Sequence, residues 1–411
     1  MSGQTEDITI FGADLIDQQS IDQLRRAMTE DSIGVLNADA HYGYGHPIGG
    51  AIAYRDKISL SGVGFDIACG NKAVRTNIQA RDADLARVMD EVTRQIGFGL
   101  GRPNPTPIDH PVFDQINNLD LQIPSARKHE LMEKARVQLG TVGSGNHFVD
   151  LFEDEDGWLW IGVHFGSRGF GHTITMGFIA IAHGKSFGER VHEGGMDSPP
   201  ILFDADSETG QDYLEAIRVA GEYAYAGRNY VVDKILEILG AQHDFEVHNH
   251  HNFCWEEEHF GEKFFVVRKG CTPAFPGQKG FVGATMFDTS VILKGIDSEK
   301  SRRALYSTVH GAGRVMSRRK ARGKVKWQRG RDGSRHLVTV KPGAVDFNNT
   351  RRRAHDLGIE LRGADADESP ECYKDLDEVL ARQGETIRVL HRLKPVGVAM
   401  AGPDIYDPYK D

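Results

Sequence analysis

Short clusters in which glycine stands beside histidine, aspartate, asparagine or cysteine recur along this chain. The most distinctive are NADAHYGYGHPIGG (37–50), SGVGFDIACGN (61–71), GSGNHF (143–148), HFGSRGFGH (164–172) and STVHGAGRVMSR (307–318). Glycine, with 47 residues in 411, permits backbone conformations that other residues rarely adopt, so it allows tight turns and a close approach of backbone to ligand. The clusters therefore predict tight turns that carry polar side chains to a ligand.

Regular elements of both kinds are predicted between the clusters. A capping box at Ser20 and Gln23 predicts the start of one helix, and apolar residues at helical spacing predict others at 85–96 and 211–239. Short strands rich in aromatic and β-branched residues are predicted at 158–164, 264–268 and 291–293. The order of elements shows no regular alternation and no repeat. This favours an α/β mixed (α+β) fold, a single large domain of irregular topology over residues 1–411, with exposed loops at 153–156 and 363–368.

Charge and composition limit the classes of partner. The net charge of −10 argues against a protein that coats nucleic acid non-specifically, so any RNA contact must be local. One basic stretch, 314–335, could supply such a contact, although a solvated charged face explains it equally well. No apolar run approaches the roughly 20 residues of a membrane helix, and the acidic N-terminal segment lacks the features of a secretory signal. Four scattered cysteines fit a reducing compartment, so the cytoplasm is expected.

Candidate metal ligands lie in three of the clusters and in HNHHNF (248–253). Asp66 and Cys69 share a glycine-flanked turn, His147 and His164 each adjoin a glycine turn, and HNHHNF holds three histidines within four residues. Taken singly, a buried cysteine, a turn-stabilising aspartate and core histidines explain these residues without a metal. Together, one aspartate, one cysteine and three histidines suffice for two divalent ions if the thiolate bridges them, with manganese and zinc both open. Two adjacent cations suit phosphoryl transfer.

Candidate phosphate contacts accompany these ligands. His310 leads a turn of small residues into Arg314, so a phosphate can approach both the imidazole and the backbone amides. Arg168 follows His164 closely enough to face a phosphate, although a surface salt bridge is the alternative for either arginine. The Walker A pattern is absent from the sequence, which excludes a P-loop enzyme.

Eight ordered segments, spanning about 37 to 379, make the chain resemble the RtcB family of RNA-splicing ligases. They are NADAHYGYGHPIGG, GVGFDIACGN, GSGNHF, HFGSRGFGH, HHNF, RKGCTPAFPGQ, STVHGAGRVMSR and ESPECYKDLDEV. The resemblance implies a fold built around two Mn²⁺ ions bridged by Cys69, with Asp66 and His147 on one ion and His164 and His251 on the other. It also implies that His310 attacks the α-phosphate of GTP, that the resulting GMP passes to an RNA 3′-phosphate, and that a 5′-hydroxyl displaces it. A 2′,3′-cyclic phosphate end is opened first.

The same resemblance implies the remaining contacts and partners. Arg168 and Arg314 are implied as clamps for the phosphates of the RNA ends, and Tyr373 as the surface on which guanine packs. The partners implied are RNA, in tRNA splicing or RNA repair, and an archease-like activator of the kind that some relatives use. The implied nucleotide contacts are Asn146, His251, Asn252, Thr285, Met286, Ser290, Gly311, Ala312, Gly313 and Tyr373.

Two departures from the family's pattern concern the nucleotide. Met400 stands where the family carries a lysine that reads the guanine carbonyl, and a methionine donates no hydrogen bond. Losing such a donor typically costs about 1 to 3 kcal/mol, so guanine preference is expected to relax unless another group such as Lys410 substitutes. Phe287 adds bulk where the family has glycine. These changes suggest a divergent branch of the family.

Two other functions remain open from the sequence. The first is a metal-dependent phosphoesterase that opens cyclic phosphate ends but has weakened guanylylation, which Met400 and Phe287 favour and the intact turn at His310 opposes. The second is a non-catalytic RNA-binding protein that keeps a metal for stability. The complete ligand set and nucleophile disfavour it.

Overall fold

The protein is described here by a computed structural model that covers residues 8–104, 107–119, 121, 123–192, 194–329, 335–403 and 405. The strands are β1 Ile8–Ile10, β2 Ile33–His41, β3 Ile48–Tyr54, β4 Lys57–Ser59, β5 Gly70–Gln79, β6 Phe148–Glu153, β7 Trp158–Phe165, β8 Leu202–Asp204, β9 His243–His250, β10 Asn252–His259, β11 Glu262–Lys269, β12 Cys271–Pro273, β13 Lys279–Val282, β14 Ser290–Gly295, β15 Ser307–Val309, β16 Gly323–Arg329, β17 Arg335–Pro342, β18 Glu360–Arg362 and β19 Ile387–Met400.

Helices of two kinds separate the strands. The α-helices are α1 Gln18–Ala27, α2 Leu60–Val63, α3 Leu85–Gln95, α4 Val112–Asn117, α5 Ser125–Gln138, α6 Arg168–Ala182, α7 Glu208–Leu239, α8 Glu299–Arg303, α9 Arg318–Arg322, α10 Phe347–Asp356 and α11 Leu376–Gln383. Short 3₁₀ helices occur at Ala13–Leu15, Ala80–Asp82, Ala366–Glu368 and Pro370–Cys372. The expected mixed α/β class is confirmed.

Two sheets form the framework of the molecule. A five-stranded sheet has the order β1-β2-β3-β11-β10. A larger sheet has the order β13-β14-β19-β6-β7-β5-β9, with β18 paired to β19. The chain crosses from the larger sheet to the five-stranded sheet at one residue, His251, because β9 ends at His250 and β10 begins at Asn252. The position of the candidate site depends on this junction.

One part of the core lies between the larger sheet and the helices that cover it. In β7 every residue after Trp158 is buried, which is typical of a strand whose two faces are both covered. The long helix α7 packs on β7 and β5, and Val231 and Ile235 join Phe165 in one apolar cluster. Burying side chains of this kind contributes roughly 1.5 to 3 kcal/mol each, so the strand that ends at the site is firmly fixed.

The predicted elements exist, but one predicted helix start is wrong. Strands β7, β11 and β14 and helices α3 and α7 lie at the expected positions. Helix α1, however, is capped by Asp17, whose side chain accepts a hydrogen bond from the Ser20 amide. Ser20 is therefore in the first turn, and its hydroxyl donates to the same carboxylate at 3.0 Å. An aspartate three residues upstream is an equally good cap and takes the role that the sequence reading gave to Ser20.

The loop at 363–368 is exposed at Gly363 but buried from Ala364 to Glu368, contrary to the expectation that all of it would be exposed. Its carboxylates pair with arginines from the basic stretch: Arg318 Nη1 lies 2.8 Å from Asp367 Oδ2, and Arg322 Nε lies 2.8 Å from Asp365 Oδ2. Burial of a charge requires such a partner. The loop at 153–156 is also not wholly exposed, because Asp154 is buried and accepts from the Trp160 indole at 2.7 Å.

A search of the described residues for membrane-spanning helices finds none with the required length and apolar character. Helix α7 has the length, but charged residues such as Asp212, Glu215 and Arg218 recur along it.

Candidate active site

A cleft of about 610 Å³ opens beside His310. The residues that line it come from both sheets and from the turns between them. They include His41, Tyr42, Tyr44, Asn146, Phe148, Asp150, His164, Thr285, Met286, His310, Gly311, Ala312, Gly313, Arg314, Ser317, Arg318, Tyr373, Val398 and Met400. A concave site of this size, with several polar groups converging on it, is suited to a small-molecule ligand such as a nucleotide.

The turn from Asp66 to Cys69 is held by backbone hydrogen bonds. The Cys69 amide donates to the Asp66 carbonyl at 3.0 Å, and the Ala68 amide donates to the Asn252 carbonyl at 2.8 Å. Gly70 then begins β5 between β7 and β9, where a Cβ atom would collide with the Asn249 carbonyl oxygen. Glycine at this position lets the three strands close together, which leaves Cys69 at the start of the central strand.

Three potential metal-ligating atoms converge at the ends of these strands. Cys69 Sγ lies 3.1 Å from His164 Nε2 and 3.6 Å from His147 Nε2, and the ligand atoms of these three residues all lie within 4.8 Å of one another. Asp66 Oδ2 lies 2.9 Å from His147 Nε2. The Val142 carbonyl lies 2.9 Å from His147 Nδ1, so a proton on Nδ1 leaves Nε2 free to bind a cation. Four of the predicted ligands are thus brought together.

His251, the fifth predicted ligand, lies between this cluster and His310. Its amide donates to the Cys69 carbonyl at 2.8 Å, and its carbonyl accepts from the Cys271 amide at 3.1 Å. Its ring centroid is 5.0 Å from that of His164 and 4.9 Å from that of His310. One imidazole therefore connects the predicted metal cluster to the predicted nucleophile.

The electrostatics of the cluster fit a divalent cation. Burial, reinforced by the charge of Asp66, raises the pKa of the Cys69 thiol, so a nearby positive charge is needed to form the thiolate. Burial would also raise the pKa of Asp66, but His147 and Arg168 outweigh it and hold that pKa below its usual range. Burial lowers the pKa of His164 and His251, which keeps both imidazoles neutral. A carboxylate, a thiol awaiting a cation and neutral imidazoles form a coherent ligand set.

Arg228 of α7 supports this cluster from behind, and the sequence reading missed it. The side chain is fully buried and donates to His248 Nε2 and His250 Nδ1, each at 2.9 Å. It also donates to the carbonyls of Ala68 at 3.0 Å and Phe165 at 2.6 Å. Two of the three histidines in HNHHNF thus accept hydrogen bonds from an arginine instead of joining the cluster. No local pattern marks an arginine inside a long helix as their partner.

His310 is oriented by Asp39. This residue belongs to the cluster at 37–50, but the sequence gave it no predicted role. Asp39 Oδ2 accepts from His310 Nδ1 at 2.7 Å and from the His310 amide at 3.0 Å. Since Nδ1 carries the proton in this hydrogen bond, Nε2 carries the lone pair. Gly270, at φ 62°, makes room for the ring, because a Cβ there would lie 2.9 Å from His310 Cε1. The arrangement fixes one tautomer of the imidazole, as the predicted nucleophile requires.

The residues predicted to contact the nucleotide divide into two groups. Those that line the cleft are Asn146, Thr285, Met286, Gly311, Ala312, Gly313 and Tyr373. The others, His251, Asn252 and Ser290, are not among the lining residues, and Asn252 and Ser290 are used within the fold. Asn252 Nδ2 donates to the Asp66 carbonyl at 3.2 Å and its Oδ1 accepts from the Gly270 amide at 2.7 Å, while Ser290 Oγ accepts from the Ala284 amide at 2.9 Å. Both hold turns of the site in place.

The two predicted phosphate clamps already contact protein groups. Arg168 begins α6 at φ 56°, and its Nη1 lies 3.1 Å from His147 Nδ1. Arg314 lines the cleft, where its Nη1 donates to the Tyr373 hydroxyl at 2.8 Å and its guanidinium carbon lies 4.8 Å from the Tyr373 ring centroid. Arg314 therefore fixes the ring predicted to pack on a base.

Asp150, which lines the cleft, is a further residue to which the sequence gave no role. It lies on β6 opposite Val398 of β19, is 7% exposed, and its Oδ1 has no hydrogen-bond partner within the described parts of the chain. Burial raises the pKa of this carboxyl above its usual range, and the Ala399 amide only partly offsets the effect. Met400, from the same strand as Val398, lines the cleft as well. The Phe287 ring lies 5.0 Å from the Arg353 guanidinium.

Known proteins resemble this chain over nearly its full length. The sequence profile of the family described as "tRNA-splicing ligase RtcB" matches residues 25–117 and 109–401. The RNA-splicing ligase RtcB of Escherichia coli (strain K12) is 31% identical over 406 residues, covering 92% of this chain and 92% of that protein. The tRNA-splicing ligase RtcB of Archaeoglobus fulgidus is 28% identical over 470 residues, covering 94% and 92%. RNA-splicing ligase RtcB homolog 1 of Entamoeba histolytica is 29% identical over 437 residues, covering 87% and 78%. The resemblance drawn from the sequence segments is confirmed.

Proposed function

This chain belongs to the RtcB family of RNA-splicing ligases, and we propose that it joins RNA ends through a covalent guanylate on His310. The observation that carries the proposal is the position of His310. Its Nδ1 is engaged by Asp39 at 2.7 Å, and its ring opens onto the cleft 4.9 Å from the ring of His251. A nucleophile is thus held beside the candidate metal cluster.

We propose that the cluster holds two Mn²⁺ ions. Asp66 and His147 would bind one ion, His164 and His251 the other, with the Cys69 thiolate shared between them. When bound, such ions supply Lewis acidity that draws charge from the phosphate oxygens. The donor set supports this proposal, since a carboxylate and neutral imidazoles suit Mn²⁺ and a buried thiol gains its charge from a cation.

The proposed reaction begins with the lone pair of His310 Nε2. It forms a bond to the α-phosphorus of GTP, and the bond from that phosphorus to the bridging oxygen breaks to release pyrophosphate. Asp39 stabilises the positive charge that develops on the imidazole, because its carboxylate holds the Nδ1 proton. The turn from Gly311 to Gly313 lines the cleft, and the Gly311 amide donates to Asp39 at 3.4 Å, so we assign contacts with phosphate oxygens to the amides of Ala312 and Gly313.

The guanylate then moves to the RNA. The terminal oxygen of an RNA 3′-phosphate displaces His310 from phosphorus, and the 5′-hydroxyl of the second end attacks the activated 3′-phosphate, releasing GMP. A 2′,3′-cyclic phosphate end is first hydrolysed to the 3′-phosphate. Arg314 lines the cleft, where its guanidinium can bind these phosphates. Arg168 is the second proposed phosphate clamp. We propose broken or spliced RNA, including tRNA, as the substrate, an archease-like activator as a partner, and the cytoplasm as the compartment.

A second candidate function is a cyclic phosphodiesterase with weakened guanylylation. The observation that favours it is Met400 in the cleft near Asp150, because a thioether offers no donor for a guanine carbonyl. Lys410, the alternative donor, lies outside the described residues. The cluster and His310 are common to both functions, so only the covalent step distinguishes them.

Covalent labelling separates the two functions. The purified protein is incubated with Mn²⁺ and α-labelled GTP or ATP, and acid-labile label on the protein is measured. For the ligase we expect label from GTP that is lost in His310→Ala and kept in a matched control, His355→Ala, whose side chain is exposed on α10.

Two other results would contradict the guanylate proposal. Label from ATP alone would replace guanine with adenine as the activating base. Absence of label from both nucleotides, together with opening of a cyclic phosphate end, would establish the phosphodiesterase.

A further inference from the structure

Strands β16 and β17 form a two-stranded ribbon, defined as 323–329 and 335–342, that stands apart from the two main sheets. In the described part of the chain it pairs with neither sheet. All residues of β16 from Lys326 to Arg329 are exposed, as are Val338 to Pro342 of β17. An isolated two-stranded ribbon is marginally stable in water, so the binding of a partner would stabilise it.

The ribbon is strongly cationic in a protein of net charge −10. Lys324 stands directly opposite Lys341. Like charges directly across two strands destabilise the pairing. Within the described ranges, no carboxylate lies within 4.0 Å of the amino groups of Lys324, Lys326 and Lys341 or the guanidinium of Arg329. Among the described residues these cations have no anionic partner, and an anion bound across the ribbon would relieve the repulsion.

An exposed aromatic ring accompanies these cations. Trp327 is 39% exposed, and strand alternation puts it on the same face as Arg329, with Lys324 and Lys326 on the other. An exposed ring beside cations is the combination that binds single-stranded nucleic acid, since bases stack on the ring while phosphates meet the charges. Duplex nucleic acid leaves no base free to stack.

The ribbon is rigidly joined to the cleft. Ser317 and Arg318 line the cleft, and α9 runs from Arg318 to Arg322, directly before Gly323. Arg318 and Arg322 are fixed by Asp367 and Asp365, each at 2.8 Å. At about 3.3 Å per residue, seven residues extend roughly 20 Å from this base. A strand bound along the ribbon therefore leads to the site that contains His310.

We propose that the ribbon binds single-stranded RNA next to the end that enters the cleft. The cations Lys324, Lys326 and Lys341 contact phosphates on one face of the ribbon. The RNA then crosses the edge of the ribbon, so that Trp327 stacks on a base and Arg329 meets a phosphate on the other face. This inference rests on the proposed function, because it assumes that an RNA end is the substrate of the cleft. The surface that binds the RNA strand away from its end is thus separate from the residues that perform the chemistry.

The test compares two triple variants of the full chain. Lys324→Gln, Lys326→Gln and Lys341→Gln remove the ribbon's charge. Arg81→Gln, Lys263→Gln and Lys300→Gln remove three exposed charges from other elements. Binding of a fluorescent single-stranded RNA with a 3′-phosphate is measured by anisotropy over a range of salt, beside a duplex of equal length. Thermal unfolding confirms that the variants are folded, and Lys→Arg at the same three ribbon positions should retain binding.

We expect the ribbon triple variant to raise the Kd for single-stranded RNA about tenfold or more and to reduce the salt slope by about 2. Trp327→Ala should raise it by about fivefold or more, with the salt slope unchanged. Labelling of His310 by GTP should be unaffected in all of these variants.

Several results would overturn the proposal. The first is an unchanged Kd in the ribbon triple variant, and the second is an equal loss of RNA binding in the control triple variant. The third is a loss of binding that affects duplex RNA but not single-stranded RNA. The fourth is a ribbon variant that loses binding to an acidic protein but keeps binding to RNA. Absence of GTP labelling in the unaltered protein, with the RNA-binding differences still present, would refute the ligase and leave the ribbon as an RNA-binding surface. The two failures are thus distinguishable.

Discussion

Asp39 and His310 are 271 positions apart, and the 2.7 Å hydrogen bond between them decides which imidazole nitrogen can react. Replacing Asp39 by Asn should leave the ring in place but allow the amide to donate, which favours the wrong tautomer. We expect the rate of guanylate formation on His310 to fall on the order of 10²- to 10⁴-fold, as for other aspartates that orient a catalytic histidine. Single-turnover labelling at saturating GTP measures it.

A matched variant guards this prediction against a general loss of folding. Asp375→Asn removes a carboxylate of similar length that caps α11 away from His310. An Asp39→Asn protein that labels as fast as the unaltered one would show that the hydrogen bond does not govern the tautomer.

Met400 and Asp150 set a second prediction at the residue scale. Met400 lies two residues beyond Val398, the cross-strand partner of Asp150, so both side chains reach the same cleft. Met400→Lys should place an ammonium near the buried carboxyl and supply a donor for the guanine carbonyl. We expect the ratio of GTP to ATP labelling to rise about tenfold. Met400→Leu is the control, and an equal ratio in both variants would disprove a role for this position in base choice.

Residues at the site were predictable where a local pattern marks them. Cys69, His147 and His164 each lie in a glycine turn with a distinctive neighbourhood, and the structure brings them together. The roles of Asp39 and Asp150 could not be predicted, because they depend on partners that are distant in sequence. A single carboxylate in a strand gives no sign of what will face it.

At the scale of elements, β11 carries an unusual buried lysine. Burial lowers the pKa of Lys269 to about 7, and within the described residues its Nζ donates to two backbone carbonyls, those of Tyr44 at 2.8 Å and Ser61 at 3.1 Å. In the unfolded chain the pKa returns to about 10.5, so between pH 7 and 10.5 the unfolded state binds more protons than the native state. The contribution of Lys269 to the free energy of unfolding therefore rises with pH in that window.

Lys269→Met removes this titration. Relative to the variant, the unaltered protein should gain about 1 to 2 kcal/mol between pH 7 and pH 9. Denaturant unfolding of both proteins at the two pH values measures the change, and the difference between the proteins cancels groups that titrate in both. A constant difference would mean that the lysine keeps its ordinary pKa in the fold.

The helices and strands were predicted more accurately than the burial of the loops between them and the start of α1. The apolar spacing in α3 and α7 and the β-branched composition of β7 identify them directly. The burial of the loop at 363–368 could not be read locally, because an acidic loop is buried only when arginines from elsewhere meet it, as Arg318 and Arg322 do. The start of α1 was misplaced for a simpler reason, since Asp17 and Ser20 are both good capping residues.

For the whole molecule, occupancy of the metal cluster should be visible as stability. A ligand that binds only the native state raises the free energy of unfolding by about 2.7 kcal/mol at 100 times its Kd. We therefore expect Mn²⁺ to raise the unfolding temperature and a chelator to reverse the effect. Cys69→Ala should lose most of this response, whereas Cys254→Ala, a buried cysteine outside the cluster, should keep it. Equal responses in the two variants would place the ion elsewhere.

The arrangement of the two sheets was beyond prediction from sequence. The fold class follows from the mixture of elements, but the order of strands in the larger sheet joins segments from 70 to 400 in an irregular sequence. Such pairings depend on the packing of the complete chain. The glycine clusters indicated that turns would converge on a site without indicating which strands would carry them there.

The junction at His251 makes the length of the chain there invariant. Insertions are normally absorbed by exposed loops. Here the residue before the junction pairs with Gly70 in one sheet, and the residue after it pairs with Lys269 in the other. One added glycine would shift a whole strand by a register and turn the imidazole away from Cys69. The protein can therefore vary at this junction by substitution, but not by insertion or deletion.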